Sequence, residues 1–199
     1  MKKHIKKIVI CILLIICSFM YSHIDRAVRI YDKNIDAGEY RSAGIVEGES
    51  FQQSFISEED SIDGVDLMCT VNGDVSSVKL EYELADEQGN IKAKGEISPE
   101  KIKTDKFYKI RFDKIKECEG KEFTFSVRQK VDKENVGIAF YYEDKVENGT
   151  TMRILGNEVP GTSIMKVITH EFDLETFCVL LGFLAFIFLF MRSLYKLFS

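Results

Sequence analysis

Residues 78–97 read VKLEYELADEQGNIKAKGEI, and their period decides the fold. Val78, Leu80, Tyr82 and Leu84 alternate with Lys79, Glu81 and Glu83, which gives an extended segment one apolar face and one polar face. Gln88-Gly89-Asn90 then supplies a turn, and residues 91–97 a weaker second strand. The same period of two recurs on both sides. Val65, Leu67, Cys69 and Val71 share a phase, as do Tyr108, Ile110 and Phe112, then Phe123, Phe125 and Val127, then Val136, Ile138, Phe140 and Tyr142. Weaker strands are expected at residues 51–55 and 164–172. Turn signals at Asn72-Gly73-Asp74, Glu119-Gly120 and Asn148-Gly149 punctuate the series. No gap between the strands holds the long helical crossover that a parallel sheet requires, so the pattern predicts a mainly β, antiparallel sandwich.

Outside this region the character changes. Residues 8–21 read IVICILLIICSFMY, without a charge, after Lys2, Lys3, Lys6 and Lys7; residues 177–191 read FCVLLGFLAFIFLFM, before Arg192 and Lys196. The first run is short for a bilayer, but snorkelling lysines and Tyr21 at the interface extend it across residues 5–24. Bulky Phe19, Met20 and Tyr21 stand where a signal peptidase requires small residues, which favours an uncleaved anchor over a signal peptide. Leu14-Ile15-Ile16-Cys17 is a defective lipobox, because Ile16 stands where such boxes carry a small residue. Residues 176–195 make the second expected span. None of the 32 acidic residues lies outside residues 25–175, so the positive-inside rule puts both termini in the cytoplasm and the centre outside.

The expected organisation is therefore an anchor over residues 1–24, a stalk or linker over 25–47, a β-sandwich over 48–172, and a C-terminal transmembrane helix with a basic tail over 173–199. Ile24, Ala27, Val28 and Tyr31 fall at helical spacing and would prolong the first helix as a stalk; Gly38 and Gly44 favour an irregular linker instead. The whole chain of 199 residues carries a net charge of −5. Setting aside the six terminal Lys and Arg named above leaves 21 basic against 32 acidic side chains, a balance of −11 that excludes a nucleic-acid footprint.

Three stretches suggest a relationship: Glu49 to Phe55 (ESFQQSF), Ile62 to Leu67 (IDGVDL) and Leu80 to Asn90 (LEYELADEQGN). Together they resemble the opening of galactose-binding-like jelly rolls. Cys118 to Phe125 (CEGKEFTF) resembles the Gly-Lys-x-aromatic-x-aromatic strand of the same units. The resemblance implies a jelly-roll ectodomain of a bacterial membrane protein, of the kind associated with surface glycans. It carries over no catalytic residue.

Signals for chemistry are sparse. His23 and His170 flank the apolar runs, and no nucleophile elbow or zinc-protease helix is present; His170-Glu171 opens like the latter, but Leu174 stands where the second His belongs. No catalytic residue, cofactor or metal ligand is assigned. Glu58, Glu59, Asp60, Asp63 and Asp66 are an acidic stretch able to attract calcium, without EF-hand spacing. Cys69 and Cys118 either pair in an oxidising exterior or remain buried thiols. Tyr141 and Phe107 break the core phase and are expected to face outward beside Arg128 and Arg111, joining a ring to a bidentate donor. That patch is the candidate ligand site. The expected partners are the lipid bilayer and a cell-surface glycan or a polytopic membrane protein. The expected role is a non-catalytic accessory or binding module in surface-polysaccharide assembly or export, with a structural subunit of a larger membrane complex as the alternative.

Overall fold

The strands expected from alternation form, and they pair in antiparallel fashion into two sheets. The computed structural model describes residues 2–44, 50–131 and 136–198; the expected start of the sandwich at residue 48 lies outside the described residues. The chain divides into two units, residues 27–169 and a second made of residues 1–26 with 170–199.

In chain order the strands are β1 (His23–Arg29), β2 (Arg41–Gly44), β3 (Ser50–Ile56), β4 (Ser61–Asn72), β5 (Lys79–Asp86), β6 (Ile91–Ile97) and β7 (Lys106–Lys116). They continue with β8 (Glu122–Lys130), β9 (Gly137–Glu143), β10 (Thr151–Ile154), β11 (Asn157–Val159), β12 (Thr162–Ser163) and β13 (Met165–Phe172). Among the described residues, one sheet has seven strands along the path β1-β13-β4-β9-β12, with β7 paired to β4 and β2 to β9. The other has six strands in the order β11-β10-β3-β8-β5-β6. β12 and β13 are nearly one strand wedged between β9 and β4. At the joint, Ile164 N donates to Tyr141 O at 2.8 Å, and its own carbonyl accepts from Met68 N at 3.0 Å.

The inward residues of both sheets form one core. Phe51 and Phe55 of β3, Leu80 and Leu84 of β5 and Phe125 of β8 meet Val65 and Leu67 of β4, Ile138 and Phe140 of β9 and Met165 of β13, all at most 1% exposed. The rings of Phe51 and Phe140 stack across the two sheets with centroids 5.1 Å apart. Two glutamines in core phase tie the sheets by hydrogen bonds. Gln53 Oε1 accepts from Ser163 N at 2.7 Å while its Nε2 donates to Thr151 O at 3.2 Å, and Gln129 Oε1 accepts from Ile138 N at 2.7 Å. Buried amides of this kind hold register because each partner is unsatisfied if the strands slip.

The expected stalk is not helical. Residues 23–29 form β1, hydrogen-bonded to β13, and β2 pairs with β9 where a linker was expected. The edge of β13 offers unpaired backbone groups, and the β-branched Ile24 and Val28 suit a strand, so tertiary pairing overrides the helical spacing.

The smaller unit holds helices α1 (Lys2–Tyr21) and α2 (Leu174–Phe198). Asp173 caps α2, its Oδ1 accepting from Glu175 N at 2.9 Å and Thr176 N at 3.1 Å. Val179, Phe183, Phe186, Phe188, Leu189 and Phe190 are all exposed, so α2 is apolar all round. Its 25 residues extend about 37 Å, enough for a hydrocarbon core of about 30 Å. Among the described residues α2 alone has the length and composition to cross a membrane; the apolar stretch Ile12–Tyr21 of α1 is shorter. The expected pair of spans is thus visible as one.

Candidate binding face

The outward phase of the seven-stranded sheet gathers much of the expected ligand site. In β4 the core takes Val65, Leu67 and Cys69, so Asp66, Met68 and Thr70 point the other way. β7 contributes Phe107, Lys109 and Arg111 to that outer face, β9 contributes Tyr141, and β13 contributes Lys166. The register sets Met68 opposite Phe107, and Asp66 between Lys109 on one neighbour and Lys166 on the other.

Arg111 is anchored. Its Nη1 donates to Asp66 Oδ1 at 2.6 Å and to Ile110 O at 3.1 Å. The guanidinium lies over Gly64, where a Cβ would stand 2.8 Å from Arg111 Cδ and 2.4 Å from Ile110 O. Only glycine leaves that space. Phe107 is capped by Lys166, whose Nζ sits 3.9 Å from the ring centroid, a cation–π contact. Desolvation lowers the Lys166 ammonium pKa, the neighbouring Arg29 and Lys109 push the same way, and Asp66 opposes them. The Tyr141 hydroxyl donates to Asp105 Oδ1; that bond and then burial raise the phenol above its ordinary value. Tyr40 stands 6.3 Å from Tyr141 and 6.4 Å from Tyr31, and the Arg29 guanidinium lies 5.9 Å from the Tyr31 ring centroid.

Tyr141, Phe107 and Arg111 therefore share one sheet face, whereas Arg128 does not join them. Arg128 belongs to β8 of the six-stranded sheet, exposed, opposite Ser50 and Glu81. Alternation read one strand at a time gives a side chain's phase but not its sheet, and this is why the sequence grouped Arg128 with Tyr141. It missed Lys109, Lys166 and Asp66. Lys109 shares the phase of Phe107 and Arg111, a signal that was present. Lys166 and Asp66 required knowledge that β13 and β7 flank β4.

A second polar cluster lines a cleft of about 370 Å³ between residues 28–34, 55–59 and 145–150. Lys145 Nζ lies 2.7 Å from Asp32 Oδ2 and 2.6 Å from Glu147 Oε1, and Glu143 Oε1 accepts from Asp32 N at 2.8 Å. Hydrogen bonds from Lys145 and the Asn34 amide hold Asp32 below the usual carboxylate range, while Asp32 and Glu147 raise Lys145. Burial pushes Glu143 up. These charges answer one another and clasp the 28–34 segment to the end of β9.

The acidic stretch after β3 does not converge. Asp66 is held by Arg111, and Asp63 lies 3.5 Å from Lys114 Nζ. Among the described residues no group of three or more His, Cys, Asp or Glu is placed to hold a metal ion. Cys69 and Cys118 are free, buried thiols whose Sγ atoms contact Leu67 O at 3.3 Å and Ile115 O at 3.4 Å. Burial pushes the Cys69 thiol up to about 12, the opposite of a reactive cysteine. His170 Nδ1 lies 2.8 Å from Asp25 Oδ1, and the rings of His23 and His170 are 6.0 Å apart.

No protein-family model and no curated protein matches this chain. Solved structures give distant likenesses. The cysteine protease and lectin-like domains of Cwp84, a surface layer associated protein of Clostridium difficile, align at 10% identity and a TM-score of 0.39 over 68% of this chain and 36% of that one. The VP2 subviral particle of infectious bursal disease virus aligns at 11% identity and a TM-score of 0.31, over 73% of this chain and 39% of that one. The chain thus spans little more than a third of the length of either structure.

Proposed function

We propose that this chain is a non-catalytic, membrane-anchored binding module that presents a jelly-roll sandwich outside a bacterial cytoplasmic membrane, as an accessory to surface-polysaccharide assembly or export. Both α1 and α2 anchor it, with the termini in the cytoplasm and a glycan as the ligand of the sandwich. The observation that supports this reading is the outer face of the seven-stranded sheet, where Tyr141, Phe107 and Arg111 lie on one surface of a chain that also carries a membrane-length apolar helix. Rings and multidentate donors on one sheet face suit polyhydroxylated ligands, which offer an apolar face and many hydrogen-bonding groups.

Calorimetry on the full chain in lipid nanodiscs, titrated with wall and capsule polysaccharides, tests the reading. Binding is expected, and Tyr141→Ala weakens it while Arg128→Ala, on the other sheet, does not. The structural-subunit alternative expects no heat with any glycan, together with copurification of a polytopic protein that is lost when α2 is replaced.

A further inference from the structure

The outer face of the seven-stranded sheet is basic although the chain is acidic. Arg29, Lys109, Arg111 and Lys166 surround a single buried carboxylate, Asp66, which is 7% exposed and already bonded to Arg111. Among the described residues Arg29, Lys109 and Lys166 have no ion pair; Arg29 and Lys166 lie instead against the rings of Tyr31 and Phe107. Asp105, the other acid near Phe107, is engaged by Tyr141. The face therefore holds more positive charge than its own carboxylates neutralise. Crowding of like charges is unfavourable for the free protein: Arg29 and Lys109 add to desolvation in lowering the Lys166 ammonium pKa. A polyanion laid across the strands relieves it.

We infer that this face binds an acidic polysaccharide, with Lys109, Lys166 and Arg29 pairing to carboxylate or phosphate groups repeated along the polymer. Phe107 is a positioning residue: its ring fixes the Lys166 ammonium above β4. Lys109 and Arg111 stand two residues apart on one strand, about 7 Å, and Lys166 lies two strands away, about 10 Å, so the cations form an array rather than a single pocket. The inference rests on the glycan reading above and adds the charge class of the ligand.

The test uses the full chain in nanodiscs of zwitterionic lipid, with polygalacturonate, poly(glycerol phosphate) and neutral dextran as probes. Both acidic polymers are expected to bind at least tenfold more tightly than dextran. Lys109→Gln with Lys166→Gln should lower that affinity at least tenfold and reduce the slope of log K against log salt by about 2, roughly one per cation removed. Lys109→Arg with Lys166→Arg should restore binding, which separates lost charge from lost folding. Lys79→Gln with Lys94→Gln, the same charge change at exposed positions of β5 and β6 on the other sheet, should have no effect. Equal binding of dextran and acidic polymers, unmoved by the double variant, overturns the charge class and leaves the glycan module standing. A loss with Lys79→Gln and Lys94→Gln as large as with Lys109→Gln and Lys166→Gln assigns the attraction to diffuse charge and overturns the site. Failure of every polymer to bind overturns both readings, and binding only to phosphatidylglycerol vesicles reassigns the face to lipid.

Discussion

Gln53 and Gln129 each occupy a position that alternation assigns to the core, and each is at most 1% exposed. The sequence shows their phase plainly, Gln53 between Phe51 and Phe55 and Gln129 after Val127, but a polar residue in core phase does not name its partner. The partners, Ser163 N and Ile138 N, belong to the facing sheet. Gln53→Leu strands the Ser163 amide, and Gln129→Leu strands the Ile138 amide; each should cost about 1–3 kcal/mol in urea unfolding. An unchanged midpoint would show that the inter-sheet bonds contribute nothing. Asp32 and Lys145 make a pH prediction. Asp32 has a folded pKa below its unfolded value, so its contribution is present above the ordinary carboxylate range and is lost as pH falls through the folded value. Lys145 has a raised folded pKa, so its contribution is present below the ordinary ammonium pKa and is lost as pH rises through the folded value. The pair is therefore at full strength from roughly pH 5 to pH 10. Asp32→Asn should flatten the acid limb of a melting-temperature profile, and a variant curve parallel to wild type below pH 5 would contradict the pairing.

Among the elements, the long alternating runs were the legible ones. β4, β5, β8 and β9 each bury a face of three or more side chains, and β7 packs buried Ile110 with half-buried Tyr108 and Phe112 against the core, enough repeats for the period to stand out. β10, β11 and β12 have four, three and two residues, too few to show any period, and they form because β3, β10 and β9 respectively present edges to them. β1 was hidden by a helical spacing that lost to strand pairing. β6 depends on a local device. A Cβ on Gly95 would stand 2.8 Å from Tyr82 Cε1, so the tyrosine ring lies flat on the glycine across the β5–β6 pair. Gly95→Val should force the ring away and destabilise the sandwich by about 1–3 kcal/mol. Retention of wild-type stability with Tyr82 still buried would disprove that packing. The candidate face was half legible for the same reason as the strands: phase is local, whereas the grouping of Phe107, Arg111, Lys166 and Asp66 depends on which strands flank β4.

For the whole molecule, composition separates a charged centre from apolar ends, and the structure separates the same chain into a sandwich unit of residues 27–169 and a helical unit. α2 is apolar on every side, which water does not favour and hydrocarbon does. The proposal that α1 is a second anchor predicts that a chain ending at residue 172 still sediments with membranes; its recovery in the soluble fraction would reduce the anchor to α2. The central proposal, a sandwich held outside the membrane with both tails inside, is tested most directly by an impermeant maleimide on intact bacterial cells. Glu87→Cys lies in the exposed β5–β6 turn and Lys196→Cys near the end of α2; each is placed in a chain with Cys11, Cys17 and Cys178 replaced by Ala, while Cys69 and Cys118 are buried. Labelling of Glu87→Cys is expected in intact cells, and of Lys196→Cys only after lysis. Labelling of Lys196→Cys in intact cells, with Glu87→Cys protected until lysis, would contradict it.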